Sequence, residues 1–101
     1  MSQAEVVLCN PVRTAIGSYG GTLKETAAPV LGAAALKEAM RRASLPPALV
    51  QSVVMGNVIQ AGVRMNPARQ AAMAAGLPVD VPALTVNRVC GSGAQAVVNA
   101  A

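Results

Sequence analysis

The sequence predicts an α/β fold with a mostly parallel sheet, and three observations support this class. Short apolar runs rich in β-branched residues alternate with longer segments of helical periodicity. Asparagine, proline and glycine stand at the junctions, where loops and helix caps are expected. The predicted order is β-α-β-α-β-α, and parallel strands joined by right-handed helical crossovers are the usual outcome of that order.

Length and composition limit the size of the core. The chain has 101 residues, which is enough for one small domain. Apolar residues make up 53% of it, yet Tyr19 is the one aromatic residue and alanine supplies much of the apolar count. Because alanine buries little apolar area, we expect a thin core.

The first half of the chain predicts one strand and one helix. The strand is expected at Glu5–Cys9 and the helix from near Thr26, with Pro46-Pro47 stopping it. Glu38 can pair with Arg42 at i+4 spacing on the charged face of this helix. The opposite, packing face is predicted to carry Gly32, Ala35, Leu36, Ala39, Met40 and Ala43.

The second half predicts two more strands and two more helices. A strand at Ser52–Ile59 is apolar enough to be covered on both faces. Asn66-Pro67 then supplies an N-cap and a first helical proline, and Gly76 a C-cap. A third strand is expected at about Ala83–Asn87, followed by a helix-like stretch at Ala94–Ala101.

The last helix has no charged face. From Val89 to Ala101 there is no charged residue, and no cap, glycine or proline closes the segment. A helix of this kind requires burial on all sides. We therefore expect residues 1–101 to be the amino-terminal part of a domain that is truncated within the helix following Cys90.

Several functional classes are excluded by composition. Without histidine, the chain can contain no Ser-His-Asp triad, Cys-His pair or histidine metal site. Cys9 and Cys90 have neither a disulfide-framework nor a zinc spacing, so we expect no metal site and a reducing, cytoplasmic setting. No signal peptide or membrane span is predicted. The net charge of +4 is spread without a basic stripe, which argues against nucleic-acid binding.

Cys90 is the candidate catalytic residue. It stands at a strand-to-helix turn, where free backbone N–H groups and the helix dipole are expected to lower the pKa of its thiol and favour the nucleophilic thiolate. The same N–H groups could hold an oxyanion, while Gly91 and Gly93 leave room for a substrate. A structural alternative is that Cys90 is a small buried apolar residue. Residues 91–96 also fit the dinucleotide fingerprint G-x-G-x-x-A, without the acidic residue that this fingerprint needs further on.

Other conspicuous residues are interpreted structurally. Cys9 is expected in the core, as are the methionines. The loop Gly17–Gly21 lacks the Gly-Lys-Ser/Thr sequence of a phosphate loop and is predicted to be a turn. Ser92 is interpreted as a helix-start hydroxyl. Arg88 could raise the local positive potential or be a surface charge. The methionines concerned are Met40, Met55 and Met73.

Four motifs resemble the amino-terminal part of the thiolases, the acetyl-CoA C-acetyltransferase family: Arg13–Gly21, Met55–Gly62, Asn66–Gln70 and Val86–Gly93. The resemblance implies a layered αβαβα fold of two similar halves. It implies that Cys90 carries the acyl group in a ping-pong reaction, either Claisen condensation or thiolytic cleavage. Acyl-CoA and CoA would be substrates, with no tightly bound cofactor, and the whole protein would be a homo-oligomer.

The resemblance also identifies parts that these residues lack. Thiolases take a histidine base, a second catalytic cysteine and most of their CoA contacts from later motifs, so we expect no multiple-turnover condensation by residues 1–101 alone. Met65 stands where thiolases often have glutamine, and Tyr19 where they often have phenylalanine. Two functional classes remain, a segment of an acyltransferase and a non-catalytic binding or assembly module.

Overall fold

The computed structural model describes residues 4–101. Strands β1 and β2 form a parallel pair, in register from Val53 opposite Ala83 to Gly56 opposite Val86. The α/β class with a parallel sheet is therefore confirmed. The elements of the described residues are, in order, α1 (Ala28–Ala43), a short 3₁₀ turn (Pro47–Leu49), β1 (Val53–Gly56), α2 (Pro67–Ala74), β2 (Ala83–Val86) and α3 (Ser92–Ala100).

The prediction of a strand at Glu5–Cys9 was wrong. This segment lies outside both strands, and its apolar side chains are largely exposed, from 57% for Val6 to 80% for Leu8. A strand requires a hydrogen-bonded neighbour as well as β-branched residues, and the described residues provide none here. Cys9 is exposed as a consequence, so its placement in the core was also wrong.

Helix α1 agrees with its sequence signals to within two residues. It ends when Ser44 adopts a left-handed conformation, with φ of 51°. The Ser44 and Leu45 N–H groups then donate back to the carbonyl oxygens of Arg41 and Met40, which is a Schellman ending. The helix therefore stops just before Pro46 instead of at it.

The charged face of α1 carries a bifurcated ion pair. Glu38 accepts hydrogen bonds from Arg41 at 2.6 and 2.8 Å and from Arg42 at 2.9 Å, which confirms the i+4 pair and adds an i+3 partner. These hydrogen bonds lower the pKa of Glu38 from 4.5 to about 2. The same contact raises the pKa of Arg41. All three side chains are partly exposed, so salt screens the interaction.

Helix α2 forms the crossover between the two strands and has both predicted caps. The Asn66 side chain accepts from the Arg69 N–H at 3.3 Å, and Gly76, with φ of 85°, ends the helix in a second Schellman motif. Asn66 also accepts from the Thr85 hydroxyl at 2.7 Å, and its Nδ2 donates to the Ala83 carbonyl at 3.0 Å. The start of α2 is thereby bound directly to β2.

The core lies between α2 and the sheet and is built from small residues. Among residues 4–101, no large side chain is fully buried, which confirms the expected thin core. Strand β1 is shorter than predicted, and Val54 and Met55 are half-buried instead of covered on both faces. The three methionines pack against the core, as expected. The buried cluster consists of Val53, Ala68, Ala72, Leu77 and Val81.

Candidate active site

Cys90 lies on the turn that connects β2 to α3. It is exposed and free, so the alternative of a buried structural cysteine is wrong for this residue. Gly91 precedes the first helical residue, and no side chain caps the helix. The candidate nucleophile is therefore presented to solvent just before the amino terminus of α3, at the end of a parallel strand.

The residue before Cys90 has an unusual backbone conformation. Val89 has a φ of 46°, in the left-handed region that a β-branched side chain rarely adopts. Such a conformation costs on the order of 1–3 kcal/mol and persists only where surrounding contacts hold it. The Val89 side chain is 62% exposed, so its own packing does not supply that restraint.

Two side chains hold the backbone of this turn. Asn87 Oδ1 accepts from the Val89 N–H at 2.9 Å, while its Nδ2 donates to the Val58 carbonyl at 2.9 Å. Ser92 Oγ donates to the Val89 carbonyl at 2.6 Å and accepts from the Arg88 N–H at 2.8 Å. Both polar groups of the Val89 backbone are therefore fixed, one by Asn87 and the other by Ser92.

Ser92 is buried and lies against β1. Its residue exposure is 3%, and a Cβ added to Gly56 would lie 2.6 Å from the Ser92 carbonyl carbon. Only a glycine at position 56 allows β1 and the start of α3 to approach this closely. The interpretation of Ser92 as a helix-start hydroxyl is correct in position, but the hydroxyl binds the turn instead of capping the helix.

The backbone N–H groups near Cys90 fall into two sets. Those of Gly91 and Ser92 donate to the Arg88 and Val89 carbonyl oxygens at 2.9 and 3.0 Å. Those of Cys90 and Gly93 have no hydrogen-bond acceptor within residues 4–101. The start of α3 therefore carries N–H groups with no acceptor in the described part of the chain, the kind of group that stabilises developing negative charge on an oxygen.

Other predicted residues lie apart from this chemistry. Arg88 is exposed, and its guanidinium donates to Gln95 on α3 at 3.0 Å, so it lies along the helix. The loop at 17–21 is a turn closed by the Gly21 N–H on the Ser18 carbonyl, as predicted. Met65 is 87% exposed. Within residues 4–101, no three acidic, cysteine or histidine side chains are grouped to bind a metal ion.

Asn87 is a residue of the turn that sequence reasoning missed. Its signal was an asparagine two residues before the left-handed position, a spacing at which asparagine side chains accept from the backbone. The contact with Val58 could not be read from the sequence, because it joins segments on either side of α2.

None of the helices in the described part of the chain is long and apolar enough to cross a bilayer.

Comparison with known proteins identifies the family. The family profile of the thiolase N-terminal domain matches residues 6–101. The chain belongs to the thiolase family. It is 53% identical over 97 residues to an acetyl-CoA acetyltransferase of Cupriavidus necator and 50% identical over 95 residues to one of Escherichia coli. These alignments cover 96% and 94% of this chain but 25% and 24% of those thiolases, so it spans about a quarter of their length.

A further thiolase relative is covered over most of its own length. An acetyl-CoA acetyltransferase of Clostridioides difficile is 48% identical over 89 residues, which are 88% of this chain and 83% of that relative. The resemblance of the four sequence motifs to the amino-terminal part of thiolases is therefore confirmed.

Proposed function

We propose that Cys90 is the acyl-accepting nucleophile of a thiolase of the acetyl-CoA acetyltransferase type. The observation that carries this proposal is the exposure of Cys90 on a restrained turn, just before a helix whose first N–H groups include ones with no acceptor within residues 4–101. The similar proteins from Cupriavidus necator and Escherichia coli bear the name acetyl-CoA acetyltransferase, which supports a CoA thioester as substrate.

The first half-reaction transfers an acyl group to sulfur. The Cys90 thiolate attacks the thioester carbonyl carbon, and the oxyanion that forms accepts hydrogen bonds from the N–H groups beside it. Collapse of this intermediate breaks the bond to the CoA sulfur and leaves an acyl thioester on Cys90. The departing CoA thiolate takes up a proton equivalent to the one lost from Cys90.

The second half-reaction consumes the acyl-enzyme. In the synthetic direction, the α-carbon of a second acyl-CoA loses a proton, attacks the Cys90 acyl carbon and regenerates the thiolate. In the degradative direction, the Cys90 thiolate attacks the 3-keto carbon of a 3-ketoacyl-CoA, the bond between C2 and C3 breaks, and the departing acetyl-CoA enolate takes up a proton. The thiol of CoA then attacks the acyl-enzyme, takes the acyl group and releases Cys90. Proton transfer from carbon needs a base, and the chain contains no histidine.

The remaining catalytic groups are therefore proposed to come from outside these 101 residues. Residues 1–101 would be the first part of a thiolase domain, in a cytoplasmic homo-oligomer whose other segments supply base, acid and CoA pocket. A non-catalytic assembly module is the second candidate, favoured by an apolar groove of about 560 Å³ between residues 6–8, β1 and α3.

Acylation of Cys90 distinguishes these candidates. After incubation of the chain with acetyl-CoA, peptide mass spectrometry is expected to find the acetyl group on Cys90, with sustained acetoacetyl-CoA formation absent. Limiting iodoacetamide should likewise label Cys90 faster than Cys9. Both cysteines are exposed and free, so accessibility alone does not favour either.

Cys9→Ala is the matched control for Cys90→Ala. The acetyl adduct should survive the first substitution and disappear with the second. Equal labelling of the two cysteines, or preferential labelling of Cys9, would show that Cys90 is not an activated nucleophile. Sustained condensation that depends on Cys90 would instead refute the need for groups outside this chain.

A further inference from the structure

The turn before Cys90 holds Val89 in a backbone conformation that valine itself does not favour. Val89 occupies the left-handed region, and its side chain is 62% exposed, so neither intrinsic preference nor packing favours the observed φ of 46°. If Val89 relaxed to an extended or right-handed conformation, the peptide that carries the Cys90 N–H would change its orientation relative to the end of β2.

We propose that Asn87 and Ser92 are positioning residues for the Cys90 nucleophile, acting together by holding Val89 in its left-handed conformation. This inference rests on the proposed role of Cys90. Neither side chain is required to touch the substrate. Each side chain acts through the Val89 backbone. Asn87 accepts from the N–H, and the Ser92 hydroxyl donates to the carbonyl oxygen, which also accepts from the Ser92 N–H.

Each positioning residue is itself anchored to a different part of the fold. Asn87 Nδ2 donates to the carbonyl of Val58, in the loop after β1, at 2.9 Å. Ser92 is buried at 3% exposure against Gly56, the last residue of β1. Strand β1 and the loop after it therefore each contact one of the two positioning residues.

A glycine at position 89 separates this role from ordinary structural support. Glycine adopts positive φ without steric cost, so a turn with Val89→Gly no longer depends on side-chain restraints. Loss of either the Asn87 or the Ser92 side chain should then lower the reactivity of Cys90 when residue 89 is valine. The same loss should change this reactivity little in the V89G background. A helix-packing role for Ser92 would be unaffected by V89G, because the buried contact with Gly56 is elsewhere.

The measured quantity is the ratio of iodoacetamide labelling rates at Cys90 and Cys9 in the full chain, with far-UV circular dichroism and urea unfolding alongside. We expect Ser92→Ala and Asn87→Ala each to lower this ratio by about tenfold, which corresponds to a change of ~1.4 kcal/mol. In the V89G background, each substitution should lower it less than about twofold, because the restraint is then superfluous. Ser52→Ala, which removes an exposed hydroxyl elsewhere, is the control.

Each outcome decides the inference. An unchanged ratio of Cys90 to Cys9 labelling in a folded S92A or N87A variant would overturn the inference. It would also be overturned if either substitution lowered this ratio as much in the V89G background as with valine at position 89. If S92A does not fold, N87A at the exposed position 87 decides alone. A parent chain that shows no preference for Cys90 would instead refute the proposed function, which distinguishes the two failures.

Discussion

Gly56 is the residue at which the sheet and the candidate site meet. A Cβ at this position would lie 2.6 Å from the Ser92 carbonyl carbon and 2.8 Å from the Ser92 Cβ. The carbonyl carbon belongs to the main chain, so a side-chain rotation cannot relieve this contact. The position of Ser92, and through it the turn that carries Cys90, therefore depends on the absence of a side chain at residue 56.

Gly56→Ala is expected to destabilise the chain by about 1–3 kcal/mol, the usual cost of overpacking. The urea midpoint should fall with an unchanged m-value. Gly93→Ala is the matched control, because nothing lies within 4 Å of its added Cβ. It should not destabilise the chain and could stabilise it by up to about 1 kcal/mol. Equal midpoints for the two variants would contradict this account.

At the same scale, the sequence pointed to Cys90 as a candidate nucleophile but did not predict the contacts that hold the turn before it. A cysteine between a predicted strand and a predicted helix, followed by glycines, is a local pattern that indicates a candidate nucleophile. For the left-handed conformation of Val89 the one local sign is Asn87, two residues earlier, and the contact that anchors Asn87 to Val58 forms only on folding. Cys9 was misplaced because its environment depends on whether a neighbouring strand covers it.

At the level of elements, α1 and α2 are specified by their ends. Pro29, in the first turn of α1, and Asn66-Pro67, at the start of α2, give local start signals, and both helices end in Schellman motifs. Such signals involve residues within a few positions of each other, and the sequence predicts both caps of α2. The left-handed Ser44 that ends α1 was not predicted. The segment at 5–9 depends on a partner strand, so its residue types alone were misleading.

The charged face of α1 should make its stability depend on pH. Because the pKa of Glu38 is about 2 in the folded chain and 4.5 for an unperturbed glutamate, the ion pair stabilises the fold above pH 4.5. This contribution is lost as the pH falls from 4.5 towards 2. Glu38→Gln should therefore flatten the acid limb of a plot of unfolding free energy against pH, and added salt should weaken the difference.

Glu25→Gln is the matched control for that measurement. Glu25 precedes α1 and forms no ion pair within residues 4–101. Between pH 4.5 and pH 2, the slope of unfolding free energy against pH should therefore be closer to that of the parent chain in Glu25→Gln than in Glu38→Gln. If E38Q and E25Q change the slope equally, the stabilisation would not come from the contacts with Arg41 and Arg42.

At the scale of the whole molecule, apolar surface is incompletely covered. The radius of gyration is 14.0 Å, and the long axis extends 50 Å against 26 and 23 Å for the others. An apolar groove lies between residues 6–8, β1 and α3, where Leu8 and Val97 are 80% and 47% exposed. Contiguous apolar surface of this kind favours association.

The chain is expected to self-associate through this groove, with an apparent mass in light scattering that rises with concentration. Leu8→Lys should reduce the association, because it places a charge in the groove. Val79→Lys is the matched control, since Val79 is 79% exposed, lies outside the groove and undergoes the same change of charge. Equal effects of the two lysines would mean that net charge, and not the groove, governs association.

The parallel pairing of β1 with β2 has a kinetic consequence. Val53 pairs with Ala83, and all of α2 lies between them in the chain. These strands therefore cannot pair progressively from a tight turn, as the two strands of a hairpin do. Closing the long intervening loop costs entropy before any ladder bond forms, so we expect the alanine-rich crossover to collapse before the cysteine turn acquires its shape.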